Sequence, residues 1–211
     1  MSRIEQSSTP FEAGRARSSR PRKLDARAKR TRQRLGDAYL GLLHEKAIED
    51  VTVQDVLERA SVGRSTFYLH YRDINDLLLS QLEFFLETMS TMLIVQKEQS
   101  QRVAPVTEMF AHIASAKKMY RLLGDAGRLN DFYDLAQGYF ERGIEVRLRE
   151  SNCLPKLSQR ELAARASALA GSLLSLLRWW LARGSIEPAE KMDELFHQMV
   201  WSGLEGSKSA S

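Results

Sequence analysis

The sequence is poor in cysteine, proline and glycine. A single cysteine among 211 residues, Cys153, excludes an internal disulfide framework and is typical of a protein in a reducing cytoplasm. The five prolines and twelve glycines mostly fall between long periodic segments, which favours an all-helical fold. No apolar run approaches the roughly 20 residues of a membrane-spanning helix, and the N-terminus lacks the apolar core of a secretory signal. We therefore predict a cytoplasmic protein without a membrane partner.

Positive charge is concentrated at the N-terminal end of the chain. Residues 1–35 contain eleven lysines and arginines against three acidic residues, a net charge of +8. Residues 36–211 carry 20 basic and 24 acidic residues, a net charge of −4. A basic arm on an acidic body suggests a polyanionic partner at one end. A solvated tail without any partner explains the charge equally well.

Apolar residues at spacings of three and four divide the chain into nine predicted helices. Their expected bounds are 25–46, 52–60, 64–71, 74–97, 105–115, a short helix that ends at 123, 129–149, 158–183 and 188–204. Residues 1–24 and 206–211 have the composition of disordered segments. The predicted fold is all-α: an N-terminal three-helix helix-turn-helix domain, residues 25–76, and a larger C-terminal helical bundle, residues 77–205.

Capping signals mark several of these helix ends. Thr52 and Asp55 form a variant of the capping box at the start of helix 52–60, and Ser158 and Glu161 form a capping box at the start of helix 158–183. Gly184 follows the latter helix, where a residue in the left-handed conformation is expected to end it.

Helix 52–60, a three-residue turn and helix 64–71 have the dimensions of a helix-turn-helix. Their apolar residues are explained by packing on helix 25–46. A rotation of about 100° per residue leaves Arg64, Ser65 and Tyr68 on the opposite, outer side of the second helix. Core packing does not require an arginine and a tyrosine there.

Outward residues at a helix N-terminus suit the major groove of DNA. The helix end offers free N–H groups and a positive dipole to phosphate. Arg64 can pair with O6 and N7 of guanine, while Thr66 or Tyr68 can contact a thymine methyl group or a phosphate.

Residues 27–78 resemble the DNA-binding domain of the tetracycline-repressor (TetR) family of bacterial transcription regulators. The resemblance is carried by Val51-Thr-Val-Gln-Asp-Val56, Ala60-Ser-Val62 and Thr66-Phe-Tyr-Leu-His-Tyr71, followed by Asp73 and Leu77-Leu78. Two residues depart from the family's pattern. Ser61 replaces the usual turn glycine and must bear a positive φ with a side chain. Ile74 stands where many members carry a lysine that contacts phosphate.

The resemblance implies DNA contacts for six residues. It assigns phosphate contacts to Thr52, Tyr68 and His70, and base contacts to Arg64, Ser65 and Thr66. A satisfied core histidine is the alternative for His70. Tyr71, at the family's phenylalanine position, is expected to belong to the core.

The resemblance further implies a homodimeric repressor that binds a palindromic double-stranded DNA operator on the nucleoid and is released by a small-molecule effector. Helices 158–183 and 188–204 are expected to pair with those of a second copy in a four-helix bundle. The alternative is that both apolar stripes are buried within one chain. A helical coactivator of the same fold, acting through a protein partner, is the alternative function, and the departures at Ser61 and Ile74 motivate it.

The C-terminal half resembles the family less closely. Residues 109–148, together with the runs at 178–181 and 192–197, are similar to the dihydroxyacetone-kinase regulator-like group. Methionine and aromatic residues in this half can line an adaptable apolar effector pocket or simply fill the core. The candidate pocket residues are Phe85, Met89, Met92, Phe110, Ile113, Met119, Phe132, Tyr133 and Trp180.

Signatures of enzymes and metal sites are missing from the sequence. The four histidines are far apart and none has metal-ligand spacing with cysteine or carboxylates. There is no nucleophile elbow and no glycine-rich phosphate loop, and Cys153 lies in no activating motif. We therefore predict neither an enzyme nor a bound metal or cofactor.

Overall fold

The computed structural model describes residues 21–150 and 157–205, and every regular element within these ranges is helical. The helices are α1 (Pro21–Leu43), α2 (Val53–Ala60), α3 (Arg64–Tyr68), α4 (Ile74–Val95), α5 (Val106–Ser115), α6 (Lys117–Asp125), α7 (Leu129–Glu150), α8 (Gln159–Ala182) and α9 (Ala189–Glu205), with a 3-10 turn at Ile48–Asp50. The predicted all-α fold is confirmed. The arm before residue 21, Cys153 and the tail after residue 205 lie outside the described residues.

Two helices differ most from the predicted bounds. Helix α1 runs from Pro21 to Leu43; the sequence predicted that Asp25 caps this helix, and that prediction is wrong because Asp25 lies inside it. Proline suits this first helical position, because its missing N–H is not needed there. Helix α3 ends at Tyr68, three residues before the predicted end.

The predicted helix caps are present. Thr52 Oγ1 accepts the N–H of Asp55 at 3.2 Å, and the Asp55 carboxylate accepts the N–H of Thr52 at 2.8 Å. Ser158 and Glu161 form the same pair of bonds, at 3.3 and 2.9 Å. Gly184 follows α8 with φ of 82°, the left-handed conformation that ends a helix most easily at glycine.

The first three helices share one apolar core. Leu35 and Tyr39 of α1, Val56 of α2 and Phe67 of α3 are all fully buried in it. Tyr71 is 5% exposed, as expected for a core residue. This core holds α2 and α3 rigidly against α1 and so determines which of their faces remains outside.

The C-terminal helices form a layered bundle. Helix α7 packs between α4 and α8, whereas α9 packs mainly on α5 and less on α8. Five large aromatic side chains fill the interior: Phe110, Phe132, Phe140, Trp180 and Phe196. The apolar stripe of α9 is divided, because Met192, Phe196 and Val200 are buried while Leu195 and Met199 are exposed.

A polar network joins α9 to the loop between α4 and α5. The Arg102 guanidinium contacts the carboxylates of Glu108 and Asp193, the latter at 2.9 Å. His197 Nε2 accepts the N–H of Val103 at 3.1 Å. Burial alone raises the pKa of Asp193, but His197, Arg102 and the N–H of Thr107 outweigh it and lower that pKa to about 2. Asp193 therefore remains ionised and keeps α9 on α5.

Helix α4 is long and apolar enough, by length and composition, to cross a membrane. The sequence analysis did not register it, because exposed Glu83 and Glu87 interrupt the apolar run. Leu77, Leu82 and Leu86 of this helix are buried in the same core as α7 and α8. The core helix of a helical bundle meets the same criteria of length and apolar composition as a membrane-spanning helix.

The turn between α2 and α3 contains Ser61 in the left-handed conformation, with φ and ψ of 50°. Arg34 of α1 donates from Nη2 to the carbonyl oxygens of Ala60 and Ser61, the latter at 3.1 Å. The N–H of Val62 donates to Leu57 O at 3.1 Å. Arg34, which belongs to the basic segment by sequence, therefore holds the turn.

Helices α4 and α7 cross at the closest approach that backbone allows. A Cβ atom added to Gly143 of α7 would lie 2.3 Å from the carbonyl oxygen of Ser90 in α4. No flexible side chain is involved, so the two helices themselves would have to separate.

We predict that Gly143→Ala lowers the free energy of unfolding by up to about 2 kcal/mol, because overpacking costs about 1–3 kcal/mol and helix propensity returns about 1 kcal/mol. Urea unfolding measures the change. Gly138→Ala is the control on the same helix, since its Cβ would meet only the Arg142 guanidinium at 3.4 Å. It should stabilise the protein. Equal effects of both substitutions would contradict the close crossing.

We predict that Arg34→Ala destabilises the turn by about 1 kcal/mol, the net value of an ordinary hydrogen bond, since water replaces part of the loss. Hydrogen exchange at the Val62 amide should become faster. Arg30→Ala, an exposed arginine of the same helix, should leave that exchange unchanged. Unchanged exchange at Val62 in Arg34→Ala would show that the turn does not depend on this arginine.

Candidate nucleic-acid interface and ligand cavity

The outer face of α3 consists of polar side chains on a rigid support. Phe67 is fully buried beneath it, while Arg64 and Ser65 are exposed and Tyr68 is 51% exposed. Thr66 is half-buried. The sequence predicted this division, and the structure brings Arg64, Ser65 and Tyr68 together on one accessible surface.

Arg64 has a partner that the sequence analysis did not assign to the site. Its Nη2 donates to Gln54 Oε1 of α2 at 3.1 Å, and Gln54 Nε2 donates to Glu58 Oε1 at 2.8 Å. Both Gln54 and Glu58 are exposed. The spacing of four residues between them was the available signal, because such side chains are neighbours on a helix surface.

Thr52, a predicted phosphate contact, is already engaged in the helix cap. Its hydroxyl donates to Asp55 Oδ2 at 2.7 Å. Lys46 Nζ lies 2.8 Å from Asp55 Oδ1. The hydrogen bonds from Lys46 and Thr52 hold the pKa of Asp55 well below its usual range. The phosphate contact of Thr52 stays a prediction, and the Asp55 carboxylate competes for the same hydroxyl.

His70 lies just beyond α3 and is half-buried, with its ring 6.4 Å from that of the buried Tyr71. The next two residues of interest in the sequence are Arg72 and Ile74. Ile74 packs against the core, so the position of the family's lysine is occupied by an apolar contact. The Arg72 side chain is 87% exposed and its guanidinium lies 3.4 Å from Asp76 Oδ1. Its exposure could not be read from the sequence.

A cavity of about 830 Å³ lies beside α4, between α1 and the α5–α6 region. Three of the predicted effector residues line it: Phe85, Met89 and Met119. Side chains of α1 form one of its walls, which the sequence analysis did not anticipate. They are Lys29, Arg32, Gln33, Asp37 and Leu40, and His44 lines the cavity just beyond the end of α1.

The other predicted effector residues do not line this cavity. Phe110, Ile113, Phe132 and Trp180 are fully buried in the core, and Tyr133 is 7% exposed beneath the Arg178 guanidinium. Met92 is half-buried on α4. For Phe110, Ile113, Phe132, Tyr133 and Trp180 the structure corresponds to the alternative, in which these side chains fill the core.

His112 is the polar group inside the cavity wall. Its ring stacks on Phe85 with centroids 4.5 Å apart. Burial lowers the pKa of His112, so its imidazole is neutral at neutral pH and can both donate and accept a hydrogen bond. Charged side chains of both signs also line this cavity: Lys29, Arg32, Asp37, Glu83 and Glu87.

Helix α6 and the loop that follows it contact the DNA-binding half directly. Lys118 Nζ donates to the carbonyl oxygen of His44, just beyond the end of α1. Arg128 Nη1 donates to Asn75 Oδ1 at the start of α4, at 3.2 Å. The described residues contain no cluster of three histidine, cysteine or carboxylate side chains that could hold a metal.

Comparison with known proteins begins with the N-terminal domain. Residues 37–80 match the profile of the family described as bacterial regulatory proteins, tetR family. A helix-turn-helix transcriptional regulator of Bacillus subtilis (strain 168), YxbF, is 33% identical over 63 residues, which are 29% of this chain. The aligned region spans only 17% of that relative's length.

Solved structures extend the comparison to the whole chain. A TetR transcriptional regulator from Streptococcus agalactiae 2603V has a TM-score of 0.55 at 25% identity, covering 86% of this chain and 99% of its own. The dihydroxyacetone kinase operon activator DhaS has a TM-score of 0.63 at 15% identity, covering 83% and 96%. Together with the helix-turn-helix and its outward polar face, these matches show that residues 37–80 form a DNA-binding domain of the TetR family and that the chain has the fold of TetR-family regulators.

Proposed function

We propose that this regulator is a homodimeric repressor that binds a palindromic operator in the cytoplasm and is released by a mostly apolar small molecule. The observation that carries the proposal is the outer face of α3, where Arg64, Ser65 and Tyr68 are exposed above the buried Phe67. A polar face on a rigid support suits base recognition, because direct readout requires side chains held at a defined distance from the groove.

The DNA contacts divide into two kinds. Arg64 reads bases, with Ser65 and Thr66 beside it, because a guanidinium can donate to O6 and N7 of one guanine. Tyr68, His70 and Thr52 contact phosphates, which position the domain without reading sequence.

Arg72 supplies a further phosphate contact. Arg72 is two residues before Ile74 in the sequence, and its guanidinium is exposed. Ile74 packs on the core at the position where many members of the family carry a lysine that contacts phosphate. The weak pairing with Asp76, at 3.4 Å, leaves most of its donors available.

Dimerisation is supported by the apolar surface of the last two helices. Trp179 of α8 is 40% exposed, and Leu195 and Met199 of α9 are 38% and 48% exposed. Large apolar side chains left exposed on these two contacting helices are of the kind that a protein–protein interface covers. Pairing with the same helices of a second copy covers them and gives two recognition helices related by two-fold symmetry.

Release by an effector is supported by the position of the cavity between the helix-turn-helix and the C-terminal helices. Its walls include α1, which belongs to the DNA-binding core, as well as Met89 and Met119 of α4 and α6. A molecule bound there contacts both halves of the protein. It lowers DNA affinity by the ratio of its own affinities for the two arrangements, and by no more.

A coactivator that acts through a protein partner is the second candidate function. The fold neighbour DhaS is described as an operon activator, and Ile74 removes a phosphate anchor typical of the family. DhaS is only 15% identical to this chain, so the similarity between the two proteins concerns the fold alone.

Selection of DNA from a random pool with the full-length protein tests the function. We expect a palindrome whose half-sites are separated by about one helical turn, roughly 34–36 Å, because two recognition helices enter successive major grooves. Enrichment of no sequence would favour the coactivator. Enrichment of a single unrepeated half-site would contradict the homodimer.

Within this experiment, Arg64→Ala should cost about 1–3 kcal/mol and relax the preference at one position of each half-site. His70→Ala is the control, since loss of a phosphate contact weakens binding to all sequences alike. If Arg64→Ala lowered only overall affinity and left the preferred sequence intact, the base-reading role of Arg64 would be wrong.

We predict that an apolar metabolite raises the melting temperature and releases DNA, and that Met89→Trp abolishes both effects by filling the cavity. A thermal-shift screen of diverse metabolites identifies the compound. Met92→Trp is the matched control on α4, because Met92 is equally half-buried but does not line the cavity. Release of DNA only by metals or highly charged compounds would rule out the apolar effector. Loss of the response in Met92→Trp alone would place the effector elsewhere.

A further inference from the structure

We propose that Gln54 is a positioning residue that sets the direction of the Arg64 guanidinium and so determines how strictly one base pair of the operator is read. The inference rests on the proposed base-reading role of Arg64. In this proposal, Gln54 of α2 contributes to the specificity of a base contact that Arg64 of α3 makes. Glu58 supports Gln54.

The geometry is a chain of two hydrogen bonds across the turn. Arg64 is the first residue of α3, and its Nη2 donates to Gln54 Oε1 at 3.1 Å. Gln54 Nε2 in turn donates to Glu58 Oε1 at 2.8 Å. All three side chains are exposed on the outer side of the helix-turn-helix.

A hydrogen bond in the free protein matters because an exposed arginine is otherwise flexible. Its side chain loses rotamer freedom when it docks on a base, and that loss reduces both affinity and discrimination. Gln54 restricts the guanidinium before DNA arrives. It occupies one of the five N–H donors, so two parallel donors remain for O6 and N7 of a guanine.

Glu58 determines which end of the Gln54 amide faces Arg64. Its carboxylate accepts from the amide nitrogen, which leaves the amide oxygen directed at the guanidinium. With the amide reversed, Nε2 would point two donors at a cation that has no acceptor. Gln54 also stands between the Glu58 carboxylate and Arg64. A direct ion pair between these two residues would neutralise the positive charge of Arg64, which is attracted to the phosphates of DNA.

The competing possibility is that Gln54 reads a base itself, since glutamine can pair with N6 and N7 of adenine. In that case the two residues would act on the operator independently. A double-mutant cycle separates these roles, because a positioning residue has no effect once the residue it positions is absent.

The experiment uses the full-length protein and the operator obtained by selection. The measured quantity is the ratio of Kd values for that operator and for a variant substituted at the base pair that Arg64→Ala relaxes. Arg64→Ala should lower the ratio by about tenfold, within the range for one bidentate base contact. Gln54→Ala should lower it by about fivefold, the factor that one hydrogen bond supplies. Gln54→Ala combined with Arg64→Ala should lower it no further than Arg64→Ala alone.

Conservative variants distinguish positioning from general electrostatics. Glu58→Gln keeps an acceptor for the amide and should preserve the ratio, while binding to all DNA becomes tighter because a negative charge is lost near phosphates. Glu58→Ala frees the amide and should lower the ratio as Gln54→Ala does. Gln137→Ala is the control and should leave the ratio unchanged, because Gln137 also donates from its side-chain amide, to Ser167 O at 3.1 Å, but lies on α7 outside the helix-turn-helix.

Three outcomes would overturn the inference. An unchanged ratio in Gln54→Ala, with the expected loss in Arg64→Ala, would show that Arg64 needs no support, and the proposed function would stand. An equal loss from Gln54→Ala with and without Arg64 would show that Gln54 reads its own base. An unchanged ratio in Arg64→Ala would remove the base-reading role on which both proposals depend.

Discussion

The backbone contact between Ser90 and Gly143 fixes α4, the helix on which both halves of the protein depend. A Cβ at position 143 would lie 2.3 Å from the Ser90 carbonyl oxygen, so α4 and α7 have only one separation available to them. The same α4 begins directly after the recognition segment, capped by Asp73. Its side chains also form much of the cavity wall. Because α4 follows the helix-turn-helix and belongs to the core of the bundle, a displacement of α4 would alter the packing of both.

That arrangement explains why the cavity is suited to regulation. Polar contacts from Lys118 to His44 O and from Arg128 to Asn75 hold the α6 region against the DNA-binding half. The cavity lies beside these contacts and is walled by α1 itself. Under the proposed effector role, a molecule bound there would contact α1 directly and would need no long chain of residues to reach the helix-turn-helix. Its effect is still limited by its differential affinity for the two arrangements.

The helix-turn-helix could be predicted from the sequence because its determinants are local. The cap at Thr52 and the short turn before α3 are specified by a few neighbouring residues, whereas the bond from Arg34 to the turn comes from a distant part of the chain. The cavity could not be predicted in this way. Methionine and aromatic side chains are equally suited to a pocket and to a core, so Phe110 and Trp180 satisfied the pattern while they fill the interior. The α1 wall depends on packing between distant segments, which no local pattern reports.

The divided stripe of α9 illustrates how tertiary packing decides between two readings of one helix. By sequence, its five apolar residues form a single broad stripe, which suits either burial in one chain or a dimer interface. Arg102 and Asp193 bind one side of the helix to α5, and this contact turns Met192, Phe196 and Val200 inward. Leu195 and Met199 are turned outward, and Trp179 of α8 is also exposed. Asp193, held ionised by His197 and Arg102, stabilises this orientation, so burying the outward residues against the rest of the chain would require α9 to break its contacts with Arg102 and Thr107.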